Sequence, residues 1–121
     1  YMQSRNDTYV MELAIQYIRR NYPKPITLAM VSNEVSLNYA YFSTMFSKYT
    51  GKTFSEYLRN TRMEKAKELL RQPDISIAEV AAQVGYENYK SFYRAFKDAV
   101  GTTPVEYQQK KYRIHREDEK Q

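Results

Sequence analysis

Two stretches decide how this chain folds: "NYAYFSTMFSKYTGKTFSEY", residues 38–57, and "NYKSFYRAFKDAVGTTPVEY", residues 88–107. Laid over each other at an offset of fifty, they share Asn, Tyr, two Phe, Gly, Thr, Glu and Tyr. The two phenylalanines of each copy, Phe42 and Phe46 or Phe92 and Phe96, are four residues apart. On a helix they lie one turn apart on one face, which turns inward. Asn38 and Asn88 stand where a helix N-cap belongs, and Gly51 and Gly101 where a helix stops. Tyr57 and Tyr107 fall where they pack behind the phenylalanines.

The duplication begins upstream of the quoted stretches. "ITLAMVSNEV" (26–35) matches "ISIAEVAAQV" (75–84) at an offset of forty-nine, and one extra residue in "GYEN" against "SLN" restores fifty. Each copy therefore predicts a short helix, a tight turn, a longer helix, a glycine stop and a capped helix start. Two helices joined by a three- to four-residue turn form a helix-turn-helix, whose second helix is shaped to enter a DNA major groove.

The rest of the chain is organised around these copies. Residues 1–7 are expected to be a linker or frayed start. From Thr8, the spacing of Val10, Leu13, Ala14, Tyr17 and Ile18 predicts a helix with one apolar stripe, stopped at Pro23 and Pro25. Thr27 caps the next helix, with Leu28, Val31 and Val35 inward, and Phe42, Met45, Phe46 and Tyr49 line the inner face of its successor. Thr53–Glu56, Ser76–Glu79 and Thr103–Glu106 have the spacing of capping boxes, and Pro104 takes the favoured first helical position. The box at Thr53 opens the longest helix, with Leu58, Ala66, Leu69 and Leu70 inward and Pro73 as its stop. The expected fold is all-α, about seven helices forming two helix-turn-helix subdomains joined by a long central helix. The subdomains are expected at 8–52 and 73–108, the linking helix at 53–72 and a charged tail at 109–121. About 18 residues of linking helix would span about 27 Å, a strut suited to two helices near one duplex turn apart, about 34 Å.

Composition narrows the function classes. The 121 residues are 42% apolar and 27% charged, and three glycines and four prolines leave little material for the turns of a β-sandwich. Without cysteine there is no disulfide, thiol catalysis or zinc finger, and a reducing, cytoplasmic setting is expected. No apolar run approaches the roughly 20 residues that cross a bilayer. A start at Tyr1 rather than Met suggests excision from a longer protein. His115, in the tail, is the only histidine, and Glu64 and Glu68 alternate with Lys65 and Lys67 as a solvated ion-pair face does. No catalytic, metal or cofactor residues are expected, and no small-molecule ligand. A formal charge of +5 favours an anionic partner. The alternative to DNA is a helical protein-interaction or membrane-surface-binding module, with which thirteen tyrosines are also compatible.

What differs between the copies carries the functional reading. Positions 40, 43, 44 and 47, away from the phenylalanine pair, hold Ala, Ser, Thr and Ser; 90, 93, 94 and 97 hold Lys, Tyr, Arg and Lys. One scaffold with two outward faces is what reading two different short DNA sequences requires. Arg94 can donate two hydrogen bonds to guanine O6 and N7, and Lys90 can do the same or hold a phosphate. Lys97, a turn further on, suits the phosphate backbone. Tyr89 and Tyr93 offer rings to a thymine methyl and hydroxyls to base edges or phosphates. Ala40 can touch a thymine methyl, while Ser43 and Thr44 are short and undemanding. The expected DNA-contacting set is Asn38, Tyr39, Ala40, Tyr41, Ser43, Thr44, Ser47 and Lys48 in the first copy. In the second it is Asn88, Tyr89, Lys90, Ser91, Tyr93, Arg94 and Lys97.

These residues resemble the DNA-binding domain of the AraC/XylS family of bacterial transcription regulators, over about residues 8–108. "NYAYFSTMFSK" occupies the place of that family's Ser-x-x-Tyr-Phe-Ser-Arg-x-Phe-Lys-like run. "GYENYKSFYRAFKDAVGTTPVEY" follows its second run, and "RMEKAKELL" its linking-helix pattern Arg-x-x-x-Ala-x-x-Leu-Leu. The resemblance implies binding to double-stranded promoter DNA, RNA polymerase among the partners, and an upstream sensor or receiver domain. It places base contacts at Ala40, Ser43 and Thr44, and at Tyr89, Lys90, Tyr93 and Arg94. Thr44 and Ser47 stand where Arg and Lys are frequent, so the first helix is expected to contribute less affinity or to read another base class. Tyr93 replaces a small residue, and Gln108 stands where Arg often follows Tyr107.

Overall fold

The computed structural model describes residues 5–111; the expected start at 1–4 and the tail from 112, with His115, lie outside the described residues. Six helices run in the order α1 (Arg5–Asn21), α2 (Leu28–Glu34), α3 (Tyr39–Thr50), α4 (Phe54–Leu69), α5 (Ile77–Gln83) and α6 (Tyr89–Val100). A seventh, α7, occupies 104–111, and no strand occurs among the described residues. The chain divides into two compact units between Arg59 and Asn60, inside α4.

Helix boundaries follow local chemistry. Asn38 accepts from the amides of Ala40 and Tyr41, and Asn88 from those of Lys90 and Ser91. Each thus satisfies two of the donors that a helix start leaves orphaned. Thr53, Ser76 and Thr103 accept from the amides of Glu56, Glu79 and Glu106 at 3.2, 3.1 and 3.1 Å, and Thr27 from that of Met30. Gly51 and Gly101, at φ 76° and 91°, take the left-handed conformation that ends α3 and α6. The tight turns match residue for residue: the amides of Ser36 and Leu37 bond the carbonyls of Asn33 and Ser32. Those of Gly85 and Tyr86 bond Ala82 and Ala81, all at an offset of forty-nine. Ser36 does at φ 57° what Gly85 does at φ 103°.

In the first unit, Phe42 and Phe46 are fully buried with ring centroids 5.5 Å apart, and Tyr57 meets Phe46 edge-on at 5.3 Å. The second unit repeats this with Phe92 and Phe96 at 5.8 Å and Tyr107 on Phe96 at 5.5 Å. Phe54, at the start of α4, packs on Phe46, and the buried Pro104 holds the equivalent place at the start of α7. Gln108 of α7 donates to the carbonyls of Gln72 and Ile75, both at 2.9 Å, tying α7 to the loop after α4.

α1 differs from expectation in two respects. It starts at Arg5, three residues before Thr8, and Asp7 in its first turn is buried and accepts from the Tyr41 hydroxyl at 3.2 Å. Its buried stripe is Met11, Ala14, Ile15 and Ile18; Leu13 is exposed, and Val10 and Tyr17 are only partly covered. Val10, Met11, Leu13, Ala14, Ile15, Tyr17 and Ile18 span about 200° of the helix circumference, an arc wide enough that 3.6-residue periodicity permits either stripe. The surface that α2 and α3 offer selects between them.

The stripe also extends the duplication. "MELAIQYI" (11–18) and "MEKAKELL" (63–70) share Met, Glu and Ala, and Met63, Ala66 and Leu70 are buried just as Met11, Ala14 and Ile18 are. Each unit is therefore a three-helix helix-turn-helix, α1–α3 or the second half of α4 with α5 and α6.

Candidate nucleic-acid interface

On α6, burial of Phe92 and Phe96 determines which side chains face away. At 100° per residue, Lys90, Arg94 and Lys97 fall opposite the phenylalanines, and all three are exposed. Among the described residues their side chains form no hydrogen bond or ion pair, so their donors are available to a ligand. Tyr89 and Tyr93 line one flank with ring centroids 6.3 Å apart, Tyr89 exposed and Tyr93 half-buried. Ser91 lies on the other flank, and Asn88 closes the N-terminal end with its carbonyl oxygen held by two amides. The result is a convex rod with one cationic edge and an aromatic shoulder. Chemically it offers guanidinium and ammonium donors to acceptor-rich edges and phosphates.

On α3 the equivalent stripe is Ala40, Thr44 and Ser47, with Tyr39 and Ser43 on one flank and Tyr41 and Lys48 on the other. Ala40, Thr44, Tyr39, Tyr41 and Lys48 are exposed; Ser43 and Ser47 are half-buried. Thr44 Oγ1 donates back to the carbonyl of Ala40 at 3.1 Å. Apart from Lys48 at its edge, this face is uncharged. Asn38 again holds the helix start.

Two tyrosines of α3 are engaged elsewhere in the first unit. Tyr41 donates to Asp7, and Tyr49 to Glu12, both carboxylates of α1. The hydrogen bond to Glu12 leads the causes that hold the Tyr49 phenol above its ordinary value, followed by burial and the negative charge of Glu12. At an offset of fifty their counterparts are Ser91 and Ala99, so this brace belongs to the first unit alone. In the second unit the third helix braces by another route: the Arg62 guanidinium sits 5.6 Å from the Tyr86 ring centroid, and Tyr86 meets Phe92 edge-on at 5.7 Å. Burial lowers the Arg62 pKa, opposed by its contact with Tyr86, and a guanidinium remains charged regardless. Sequence reasoning did not find Asp7, Glu12 or Arg62 as supports of the outward helices; the shared Met-Glu-x-Ala of α1 and α4 contains Glu12 but neither Asp7 nor Arg62. Glu64 pairs with Lys67 at 3.2 Å and Glu68 with Lys65 at 3.1 Å.

Two copies of a three-helix unit, each presenting the second helix of a helix-turn-helix outward, define a duplicated helix-turn-helix protein. A family profile described as a helix-turn-helix domain matches residues 31–110. The chain belongs to that family, in its AraC/XylS branch of transcription regulators rather than to any family of enzymes. It is 33% identical over 97 residues to the uncharacterized HTH-type transcriptional regulator YtdP of Bacillus subtilis strain 168, covering 80% of this chain and 13% of that protein. The xylose operon regulatory protein of Escherichia coli K12 is 32% identical over 105 residues, 87% of this chain and 26% of that protein. The chain thus spans about a quarter or less of these two relatives. Among solved structures, the C-terminal domain of AraT, a response regulator from Geobacillus stearothermophilus, superposes with a TM-score of 0.80 at 34% identity, covering 84% of each chain.

Proposed function

We propose that this chain binds double-stranded promoter DNA sequence-specifically, as the output domain of a bacterial transcription regulator. α3 and α6 enter neighbouring major-groove segments. The observation that carries this is the outward stripe at 40, 44 and 47 and at 90, 94 and 97, exposed in both units except for the half-buried Ser47. It is built on an inner face that repeats, and is itself rewritten from small to cationic residues. Repeated burial needs only packing; the unlike pair of outward faces suits the reading of two unlike short DNA sequences. The outward residues of α3 and α6 named above are the contacts we assign.

In the full-length protein this domain receives its signal from an upstream sensor or receiver, as suits a chain similar to part of a response regulator and of an operon regulator. It works in the cytoplasm, where promoter DNA and RNA polymerase are its partners. No helix among the described residues is long and apolar enough to cross a membrane.

A salt titration of binding to a fluorescent random duplex pool tests the proposal. Binding should weaken steeply as salt rises, with selected sequences retained longest. An absence of salt-sensitive binding to any duplex would refute it.

A further inference from the structure

Resting on that reading, we propose that the first unit reads thymine methyl groups. Its operator segment is then defined by the C5-methyls of A·T pairs, and Thr44, with Ala40, is the residue that senses them. Sequence alone leaves Thr44 ambiguous, because a threonine can present either a hydroxyl or a methyl group. The structure resolves the ambiguity. Thr44 Oγ1 donates its one proton to the carbonyl of Ala40, one turn back along the same helix. The hydroxyl therefore has no proton to give to the acceptors of guanine; its oxygen can still accept, and the one apolar group that the exposed side chain offers is the Cγ2 methyl.

Ala40, on the same stripe one turn earlier and exposed, adds a second methyl. Ser47, the third member of the stripe, is half-buried, and no position of 40, 44 or 47 holds a cation or an amide. A stripe of two methyl groups and a half-buried serine, with its one cation, Lys48, at the edge, offers no bidentate donor to the O6 and N7 of guanine. It can cover the one apolar group that the major groove displays, the thymine C5-methyl. The equivalent stripe on α6 holds Lys90, Arg94 and Lys97, so the two units differ in the kind of contact they make and not only in its strength. An operator for this chain pairs a methyl-read segment with a donor-read one.

The test removes the methyl from the DNA and leaves every hydrogen-bonding group in place. An operator chosen from a random duplex pool is remade with deoxyuridine for thymidine, one segment at a time. Each methyl lost beneath α3 should weaken binding about fourfold, the worth of one buried methyl-sized group. Thr44→Ser, which keeps the hydroxyl and removes the methyl, should bind thymidine and deoxyuridine alike at one position. Thr44→Val, which keeps a methyl and removes the hydroxyl, should still discriminate. The side chain is exposed, so all three proteins should melt alike.

Insensitivity to deoxyuridine throughout the α3 segment overturns the inference, as does loss of discrimination in Thr44→Val. Selection of guanine beneath Thr44 overturns it too. In those cases salt-sensitive, selective binding persists, and DNA reading itself stands. If no duplex binds in a salt-sensitive way, the functional reading fails and this inference fails with it.

Discussion

Arg94 and Lys97 lie on one exposed edge of α6 but should contribute in different ways, and alanine substitutions can separate them. Both side chains are exposed and neither forms a hydrogen bond or ion pair among the described residues, so truncation removes no internal polar contact. Surface changes of this kind shift stability by no more than about 0.5 kcal/mol, and alanine favours the helix. Any large loss of affinity in either variant is therefore a loss of DNA contacts. For Arg94→Ala the loss is a bidentate pairing with one guanine, about 1–3 kcal/mol or roughly 5- to 160-fold. It should vanish on a duplex mutated at that guanine. For Lys97→Ala the loss is one phosphate contact, which flattens the slope of log K against log salt by about 0.9. Raising salt from about 50 to about 200 mM should then shrink the wild-type advantage over Lys97→Ala about 3.5-fold, whatever the sequence. Fluorescence anisotropy at several salt concentrations, on the selected operator and its single-base variants, measures both quantities. If both variants lose the same factor on every sequence and share one salt slope, the division of labour along α6 is wrong.

Three further outcomes follow from the packing and backbone. Phe96→Ala should destabilise the second unit by about 3–5 kcal/mol, since the ring is fully buried against Phe92 and Tyr107; hydrogen exchange would show the amides of α6 losing protection. Ser36→Gly should stabilise the first unit by about 0.5–1 kcal/mol, because relief of the left-handed conformation at φ 57° exceeds glycine's extra unfolded entropy. A lower urea midpoint in the variant would contradict this. The pKa of Tyr49 is raised on folding by its bond to Glu12, so its contribution is complete below the unfolded value near 10 and lost as pH rises through the higher folded value. Tyr49→Phe should remove that alkaline loss, and urea midpoints that follow one pH profile in both proteins would refute the coupling.

What the sequence determined by itself is everything decided within a few residues. Asn38, Asn88, Thr53, Ser76 and Thr103 cap because a short polar side chain reaches amides two or three positions on. Gly51 and Gly101 end helices because only glycine takes a left-handed turn at little cost. Phenylalanines one turn apart turn inward, which leaves 40, 44, 90, 94 and 97 exposed as expected, while 43, 47 and 93 of the same expected face are half-buried. The third copied element was legible too, in "MELAIQYI" and "MEKAKELL". It is masked because the connections that follow, 19–25 and 71–74, differ in length and break the fifty-residue register.

Only tertiary structure could choose Met11 and Ile15 over Leu13 for the core, since an apolar arc about 200° wide holds both stripes until α2 and α3 supply a surface. It likewise turned Asp7 from an apparent end of the chain into a buried acceptor for Tyr41. And it committed the Thr44 hydroxyl proton to its own backbone, because whether a threonine spends that proton within its helix depends on the rotamer and not on the residue's name.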